Sequence, residues 1–214
     1  MSPRAYKLGR RKAATEETRS RIIEAARRVL AAPDGVSAFT IDAVAREAGV
    51  ARMTVYYQYG SKAALLEALY DDLAARGLVS SLPLVFQAPG PQAALFALID
   101  AFSTFWAADR VITRRLRALA NLDPIIEKGI RTRDHWRRGH FTRVLDGVLP
   151  TDVPPDVRSD LLETVLAATS FETFDQLAES RGDAEAARLV ASLVEAQLAH
   201  VWHLTGGSAA PIGD

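Results

Sequence analysis

Apolar residues in the first eighty positions recur every three to four residues and predict a series of helices. The first helix begins at about Thr15 and ends before Pro33, and two short helices follow over residues 40–48 and 52–59. A longer helix begins near residue 61. Only a three-residue turn separates the two short helices, and this arrangement predicts a helix-turn-helix.

Beyond residue 80 the apolar positions define longer helices that are separated by proline and glycine. We expect these helices near residues 92–107, 110–122, 125–148, 156–180 and 183–204. No run of alternating β-branched residues is long enough to indicate a strand. The predicted fold class is therefore all-α, with an N-terminal three-helix helix-turn-helix domain and a C-terminal helical domain.

Composition restricts the classes of protein to which the chain can belong. Of its 214 residues, 49% are hydrophobic and 24% are charged, as in ordinary globular proteins. The sequence shows no uncharged apolar run of about 18 residues and no secretory signal, so we expect a cytoplasmic protein with no membrane partner. The chain has no cysteine, which excludes disulfides, thiolate metal sites and cysteine nucleophiles.

Charge is distributed unevenly, although the net charge is zero. Residues 1–62 contain 12 Lys and Arg against 6 Asp and Glu, so the rest of the chain carries the compensating negative charge. This asymmetry is typical of a DNA-binding head on an acidic body. We interpret residues 1–14 as a flexible basic arm that contacts DNA, or as a tail that only aids solubility. Residues 206–214 are expected to form a loose tail.

The stretch from Thr40 to Leu69 carries a family resemblance. Its sequence, TIDAVAREAGVARMTVYYQYGSKAALLEAL, resembles the helix-turn-helix of the TetR/AcrR family of transcriptional regulators. The resemblance implies a DNA-binding domain over residues 15–62 and a helical ligand-binding and dimerisation domain over residues 63–205. It also implies a regulator, most simply a repressor, whose affinity for its operator is lowered by a small molecule.

Seven residues fall at positions where the family contacts DNA. By the resemblance, Arg52, Met53 and Tyr57 would read bases, whereas Thr40, Thr54, Tyr56 and Lys62 would hold the phosphate backbone. Simpler roles stay open for three of them. Thr40 could act only as a helix cap, Tyr56 could only pack, and Met53 could be exposed without any contact.

A helix-turn-helix also needs a sharp turn and a small core. Gly49 suits the left-handed backbone conformation that ends the first short helix. Ala51 stands where a Ser or Thr commonly caps the second helix, so the cap must come from elsewhere or be missing at a cost of about 1 kcal/mol. The expected core consists of Val44, Ala45, Val50, Val55 and Tyr59.

Large side chains in the C-terminal domain have two interpretations. They could form an ordinary packed core, or they could line a pocket for an apolar or amphipathic ligand. Residues 110–143 hold ten basic residues against three acids, which could be a solvated face or could hold an anionic ligand. The candidate pocket residues are Phe102, Phe105, Trp106, Leu119, Trp136, His140, Phe141, Phe171 and Phe174.

The helix predicted over residues 183–204 is apolar on more than one side, so we expect it to pack internally and against a second subunit. By the resemblance, it and the helix before it form a four-helix interface in a homodimer that binds a palindromic double-stranded operator. The candidate interface residues are Leu162, Val165, Leu166, Val190, Val194, Gln197 and Val201.

Other classes of function find little support in the sequence. The chain has no glycine-rich phosphate loop, GxSxG or HExxH motif, so we expect no catalytic residues, no enzymatic activity and no cofactor. His200 and His203 are spaced for zinc but have no suitable third ligand nearby, so no metal site is expected. Two alternatives remain: a constitutive or architectural DNA-binding dimer, and an interaction module whose head no longer binds DNA.

Overall fold

A computed structural model describes the backbone of residues 3–79 and 81–204 and the side chains of residues 13–79 and 81–204. Within these ranges the secondary structure is helical and no strand is present, which confirms the all-α prediction. The helices are α1 (Pro3–Ala31), α2 (Gly35–Ala38), α3 (Ile41–Ala48), α4 (Arg52–Tyr59), α5 (Lys62–Gly77), α6 (Leu82–Phe86), α7 (Pro91–Ala108), α8 (Arg110–Ala120), α9 (Pro124–Val148), α10 (Pro155–Ala168), α11 (Phe171–Arg181) and α12 (Asp183–Leu204).

The chain folds into two compact units. Unit 1 comprises Met1–Leu73 and Val111–Ile130, and unit 2 comprises Ala74–Arg110 and Arg131–Asp214. Unit 1 therefore extends past the domain boundary expected at residue 62, because Leu65, Leu66 and Leu69 of α5 are fully buried.

In unit 1, α1 packs against α3, and α3 packs against α4. The buried faces contribute Ile22, Val44 and Val55. The C-terminus of α1 is closed by Arg115 of α8, whose guanidinium donates to the carbonyl oxygens of Leu30 and Ala32. The Leu30 carbonyl lies in the last turn of α1, where carbonyl groups have no partner inside the helix, and the Ala32 carbonyl also accepts a hydrogen bond from the Gly35 amide at 2.8 Å.

The first helix is longer than its sequence pattern predicts. It begins at Pro3 instead of Thr15, so residues 3–14 belong to a helix and do not form a flexible arm. Alanine, lysine and arginine are all good helix formers, so the segment extends the helix without an apolar stripe of its own. The side chains of residues 1–12 and the tail expected over residues 206–214 lie outside the described residues.

The single helix predicted over residues 156–180 is in fact two helices, α10 and α11. Ser170 begins the second of them, because its side-chain oxygen accepts a hydrogen bond from the Thr173 amide at 3.2 Å. The first ends at Ala168, and the guanidinium of Arg137 donates there to the carbonyl oxygen of Leu166 at 3.2 Å and to the hydroxyl of the capping Thr169 at 2.8 Å. A cation at a helix C-terminus is favoured by the helix dipole.

Unit 2 is built around α7 and α12. Helix α12 packs against α7, α10 and α11, and it buries Val190 and Val194 against them. Helix α7 contributes Leu95 and Leu98 to this core. Over the part of the chain that the structure describes, no helix combines the length and apolar character needed to cross a membrane.

Candidate nucleic-acid interface

The turn between α3 and α4 has the geometry that its sequence predicts. The side chain of Thr40 accepts a hydrogen bond from the Ala43 amide at 3.1 Å and so caps α3. Gly49 ends α3 with φ 63° and ψ 38°, a left-handed conformation in which other residues are strained. The Val50 amide then donates to the Ala45 carbonyl at 3.0 Å, which fixes the direction of the chain as it enters α4.

The small core of this motif is formed by part of the predicted set. Val44, Ala45 and Val55 are buried, whereas Val50 and Tyr59 are only half-buried. Tyr59 has a second role, because its hydroxyl donates to the Arg19 carbonyl oxygen at 2.9 Å.

Arg19 and Tyr59 together tie the end of α4 to α1. The Arg19 guanidinium lies 4.5 Å from the centre of the Tyr59 ring and donates to the Gln58 carbonyl at 2.6 Å. Burial raises the pKa of Tyr59, which favours the protonated hydroxyl that donates to the Arg19 carbonyl oxygen. Arg19 could not be identified from the sequence, since nothing in the periodicity of α1 shows that this residue faces α4.

The outer face of α4 presents large side chains to solvent. Met53 is 72% exposed and Tyr57, one turn later, is 87% exposed. Val55 lies between them in sequence and is fully buried, so α4 is anchored by one face and free on the other. Exposed apolar and aromatic side chains on a helix held this way are available to contact bases.

Arg52 begins α4 beside these residues. Its guanidinium donates to the Asp42 carboxylate at 2.9 Å and to the Tyr56 hydroxyl oxygen at 3.3 Å. The hydrogen bond to Tyr56 and the negative charge of Asp42 raise the pKa of Arg52. Ala51 provides no side-chain cap to α4, as expected. The sequence analysis missed Asp42, because residues ten positions apart on different helices give no periodic signal.

Lys62 lies at the start of α5, and its ammonium is 5.5 Å from the centre of the buried Phe39 ring. The Ser61 side chain accepts a hydrogen bond from the Ala64 amide at 3.0 Å and caps this helix. The structure thus brings the seven predicted DNA-contacting residues onto α4 and the starts of the two helices that flank it.

Most of the predicted pocket residues are packed against one another in unit 2. The Trp106 ring centre lies 4.6 Å from that of Phe105, 6.0 Å from that of Phe102 and 5.5 Å from that of Phe171. The ring of Phe141 stacks on Phe102 at 5.7 Å. All five rings are buried, as is Phe174.

Three predicted pocket residues lie apart from this aromatic cluster. Trp136 is 45% exposed and meets His140 edge to face, with ring centres 4.0 Å apart. Burial and the neighbouring charge of Arg143 lower the pKa of His140. Leu119 is buried in unit 1, whereas the cluster belongs to unit 2.

The basic stretch of residues 110–143 is largely engaged within the protein. Arg110 donates to Asp175 at 3.1 Å and to Asp183 at 2.9 Å. Arg138 forms two hydrogen bonds with Glu163, at 2.7 and 2.8 Å. The buried Arg137 lies about 6 Å from the ring centres of Phe102 and Phe141 while it binds the end of α10.

A cavity of about 400 Å³ separates the end of α9 from the start of α10. Its walls combine the apolar Leu145, Val153 and Leu162 with the hydroxyl groups of Thr142 and Ser159. Arg158 also lines the cavity, where it binds the Asp146 carboxylate at 3.1 Å.

The residues expected at a subunit interface are mostly buried inside unit 2. Their side chains face the core because α12 turns its most apolar stripe toward α7, α10 and α11. The buried residues are Val165, Leu166, Val190, Val194 and Val201, and Leu162 and Gln197 are half-buried. Two large apolar side chains of α12 are exposed among the described residues: Leu193, at 45%, and Leu204 at the end of the helix, at 62%. No group of three or more His, Asp or Glu residues is placed to hold a metal ion in the described ranges, His200 and His203 included.

Comparison with known sequences bears on the N-terminal part of the chain. The family profile described as "Bacterial regulatory proteins, tetR family" matches residues 22–69. The HTH-type transcriptional regulator SrpR of Pseudomonas putida is 49% identical over 57 residues. That match spans 27% of this chain and 26% of SrpR, so the chain matches about a quarter of the length of this curated relative.

Solved structures resemble the chain over most of its length. A TetR transcription regulator from Haloarcula marismortui has a TM-score of 0.67 and 22% identity, and the match covers 85% of this chain and 98% of that one. A transcriptional regulator from Rhodococcus sp. Rha1 has a TM-score of 0.63 and 19% identity, with 90% and 99% covered. HlyIIR, a hemolysin II transcriptional regulator, has a TM-score of 0.58 and 19% identity, with 85% and 97% covered. At these identities the likeness establishes the shared fold.

Proposed function

We propose that the chain is a transcriptional regulator of the tetR family that binds double-stranded DNA, because the profile of that family matches residues 22–69 and SrpR is 49% identical over 57 residues. Helix α4 enters the major groove, where the exposed side chains of Arg52, Met53 and Tyr57 meet base edges. The observation that carries the proposal is the contrast within α4 between the buried Val55 and the exposed Met53 and Tyr57.

Phosphate contacts come from the margins of the same surface. Thr40 caps α3 through its oxygen, which leaves its hydroxyl proton available to a phosphate. Lys62 brings a compact positive charge to the start of α5, and Thr54 and Tyr56 add hydroxyl groups on α4. These contacts set the position of α4 and add affinity that does not depend on sequence.

The direct test is selection of duplexes from a random DNA pool by the full-length chain, followed by binding measurements on the selected sequence. We expect an enriched palindromic site that the chain binds at least about a thousandfold more tightly than a scrambled duplex. Recovery of unrelated sequences without enrichment would contradict the proposal, and it would favour an interaction module whose head no longer binds DNA.

The regulator acts as a homodimer, because two copies of α4 must reach successive major grooves about 34–36 Å apart. Helix α12 buries one stripe inside its own protomer and leaves Leu193 on the other side exposed. We place the two-fold contact on this outer side of α12, a position that differs from the buried residues expected from sequence. A two-fold axis makes the contact self-complementary and the operator palindromic.

A small apolar or amphipathic ligand regulates DNA binding, and the output is repression. The aromatic cluster supplies the apolar surface, but its rings already touch, so a ligand there must displace side chains. The cavity between α9 and α10 offers open volume and three kinds of polar group: hydroxyl, carboxylate and guanidinium. A ligand lowers operator affinity only if it binds better to the protein arrangement that fits DNA less well.

The close packing of the aromatic cluster favours a second candidate, a constitutive DNA-binding dimer without a ligand switch. The two are separated by screening small apolar acids and alcohols for an increase in melting temperature, followed by operator binding with each hit. A regulator with a switch loses about 5- to 150-fold in operator affinity when the ligand binds. Hits that stabilise the protein but leave operator affinity unchanged would favour the constitutive dimer.

A further inference from the structure

An ion pair joins the two helices of the helix-turn-helix at the surface proposed to meet DNA. The Asp42 carboxylate, in the first turn of α3, accepts a hydrogen bond from the Arg52 guanidinium at 2.9 Å. The Tyr56 hydroxyl oxygen, one turn further along α4, accepts another at 3.3 Å, and its ring centre lies 5.5 Å from the guanidinium carbon. Arg52 is therefore held on two sides within the protein.

The ion pair is exposed, so Arg52 can leave Asp42 and bind DNA instead. The side chains of Arg52 and Asp42 are 56% and 53% exposed, and exposed ion pairs change an equilibrium constant by a factor of about five at most. A carboxylate offers the guanidinium oxygen acceptors much as a phosphate does. Asp42 can therefore compete with the DNA backbone for Arg52, but it cannot withhold Arg52 from a better partner.

The position of Arg52 at the start of α4 gives Asp42 a second role. Arg52 is the first residue of α4, where the helix dipole disfavours a cation, and Ala51 provides no side-chain cap. The Asp42 carboxylate offsets that unfavourable charge from the neighbouring helix. It thereby fixes the direction in which the Arg52 side chain leaves α4.

We propose that Asp42 is a specificity-determining residue. Its carboxylate competes with DNA phosphates for the Arg52 guanidinium, but a base edge with two acceptors binds Arg52 better than Asp42 does. The proposal rests on the proposed function of the α4 face. On DNA that lacks the correct base, Arg52 can only exchange its hydrogen bond to Asp42 for one to a phosphate. Both hydrogen bonds are charge-assisted, so the exchange adds little binding free energy. On a guanine edge the guanidinium gains two hydrogen bonds, to O6 and N7. Asp42 thus lowers the affinity for non-operator DNA more than the affinity for the operator.

The test is Asp42→Asn in the full-length chain, with binding measured on a 30-base-pair duplex of random sequence and on the duplex selected from the pool. Titrations at several NaCl concentrations give the affinity and its salt dependence. We expect a rise of about two- to fivefold in affinity for the random duplex, because Arg52 becomes free to bind a phosphate. The slope of log K against log salt should steepen by about one unit, and the operator preference should fall.

Two controls separate this role from a general effect of charge. Glu47→Gln removes the same charge from the same helix, but its carboxylate binds Arg28 at 2.5 Å and not α4. It should leave the operator preference unchanged. In an Arg52→Ala background, Asp42→Asn should raise random-duplex affinity by no more than Glu47→Gln does, because the competing guanidinium is absent.

Equal effects of Asp42→Asn with and without Arg52, or equal effects of the Asp42 and Glu47 variants, would overturn the proposal. A loss of several degrees in melting temperature with a uniform loss of binding would assign Asp42 a purely structural role.

Asp42→Ser, which shortens the side chain and removes the charge, should reproduce the Asn result if Asp42 competes for Arg52. A wild-type chain without any preferred sequence would overturn the proposed function and this inference together. A selective wild type with an unaffected Asp42 variant would overturn only the inference.

Discussion

Lys62 and Arg52 are both basic, but we expect Lys62 to bind a phosphate and Arg52 to bind a base. Lys62→Ala should weaken binding to all duplexes by a similar factor and flatten the salt slope by about one unit, because one phosphate contact is lost. Arg52→Ala should cost about 1–3 kcal/mol on the selected operator and much less on random DNA, because a base contact is lost. Titration of both variants on both duplexes at several salt concentrations separates the two kinds of loss. Full operator preference in the Arg52 variant would rule out its role in reading bases.

Arg137 and Arg138 are adjacent in sequence but differ in burial. Arg137 is buried and binds the Leu166 carbonyl and the Thr169 hydroxyl, whereas Arg138 forms an exposed pair with Glu163. Arg137→Ala should lower the free energy of unfolding by about 3 kcal/mol, since buried acceptors at the end of α10 lose their donor. Arg138→Ala should cost less than about 1 kcal/mol. Equal and small losses in urea denaturation would contradict this structural role of Arg137.

At the scale of the helix, α4 lacks a side-chain cap at its N-terminus, and adding one should stabilise the protein. Ala51 has φ −67° and ψ 145°, the extended conformation of a helix cap, but it has no side chain that can accept a hydrogen bond. Ala51→Ser should raise the free energy of unfolding by about 1 kcal/mol, and the Thr40→Ala change at the cap of α3 should lower it by a similar amount. Chemical denaturation measures both. A destabilised Ala51→Ser variant would show that the start of α4 is constrained by other contacts.

Much of the helical pattern could be predicted because local sequence encodes it. Apolar spacing predicts the bounds of α3, α4 and α12, and for α3 the Thr40 cap and the left-handed Gly49 mark the two ends. The break between α10 and α11 could not be predicted in this way. Thr169 and Ser170 are tolerated inside a helix, and the break is stabilised by Arg137, which is distant in sequence.

The positions of the candidate DNA-contacting residues were predictable to a similar extent. Family resemblance placed Arg52, Met53 and Tyr57 on α4, and the structure exposes the latter two strongly. The side of α12 that its own protomer covers was not predictable, because periodicity shows that a helix has two apolar sides but not which of them packs internally. Partners from different helices, such as Asp42 and Arg52, depend on tertiary structure and leave no periodic trace.

At the scale of the whole molecule, the account requires a dimer. Leu193→Glu should place a charge in the proposed two-fold contact and convert the dimer to a monomer at micromolar concentration, with a large loss of operator affinity. Leu84→Glu is the matched control, because Leu84 is also an exposed leucine but lies on α6. Light scattering measures both masses. A Leu193 variant that stays dimeric would place the contact on another surface, and a wild-type monomer that binds the operator fully would refute the dimer itself.

The measurement that tests the central claim most directly is the affinity of the purified chain for its selected palindrome relative to a scrambled duplex, determined at several salt concentrations. The account predicts a preference of at least about a thousandfold, together with a steep loss of affinity for both duplexes as salt rises. It also predicts that Tyr57→Ala, on the exposed face of α4, removes most of the preference while the scrambled duplex is bound almost as before. Equal affinity of the wild-type chain for the two duplexes would contradict the claim that α4 reads DNA sequence.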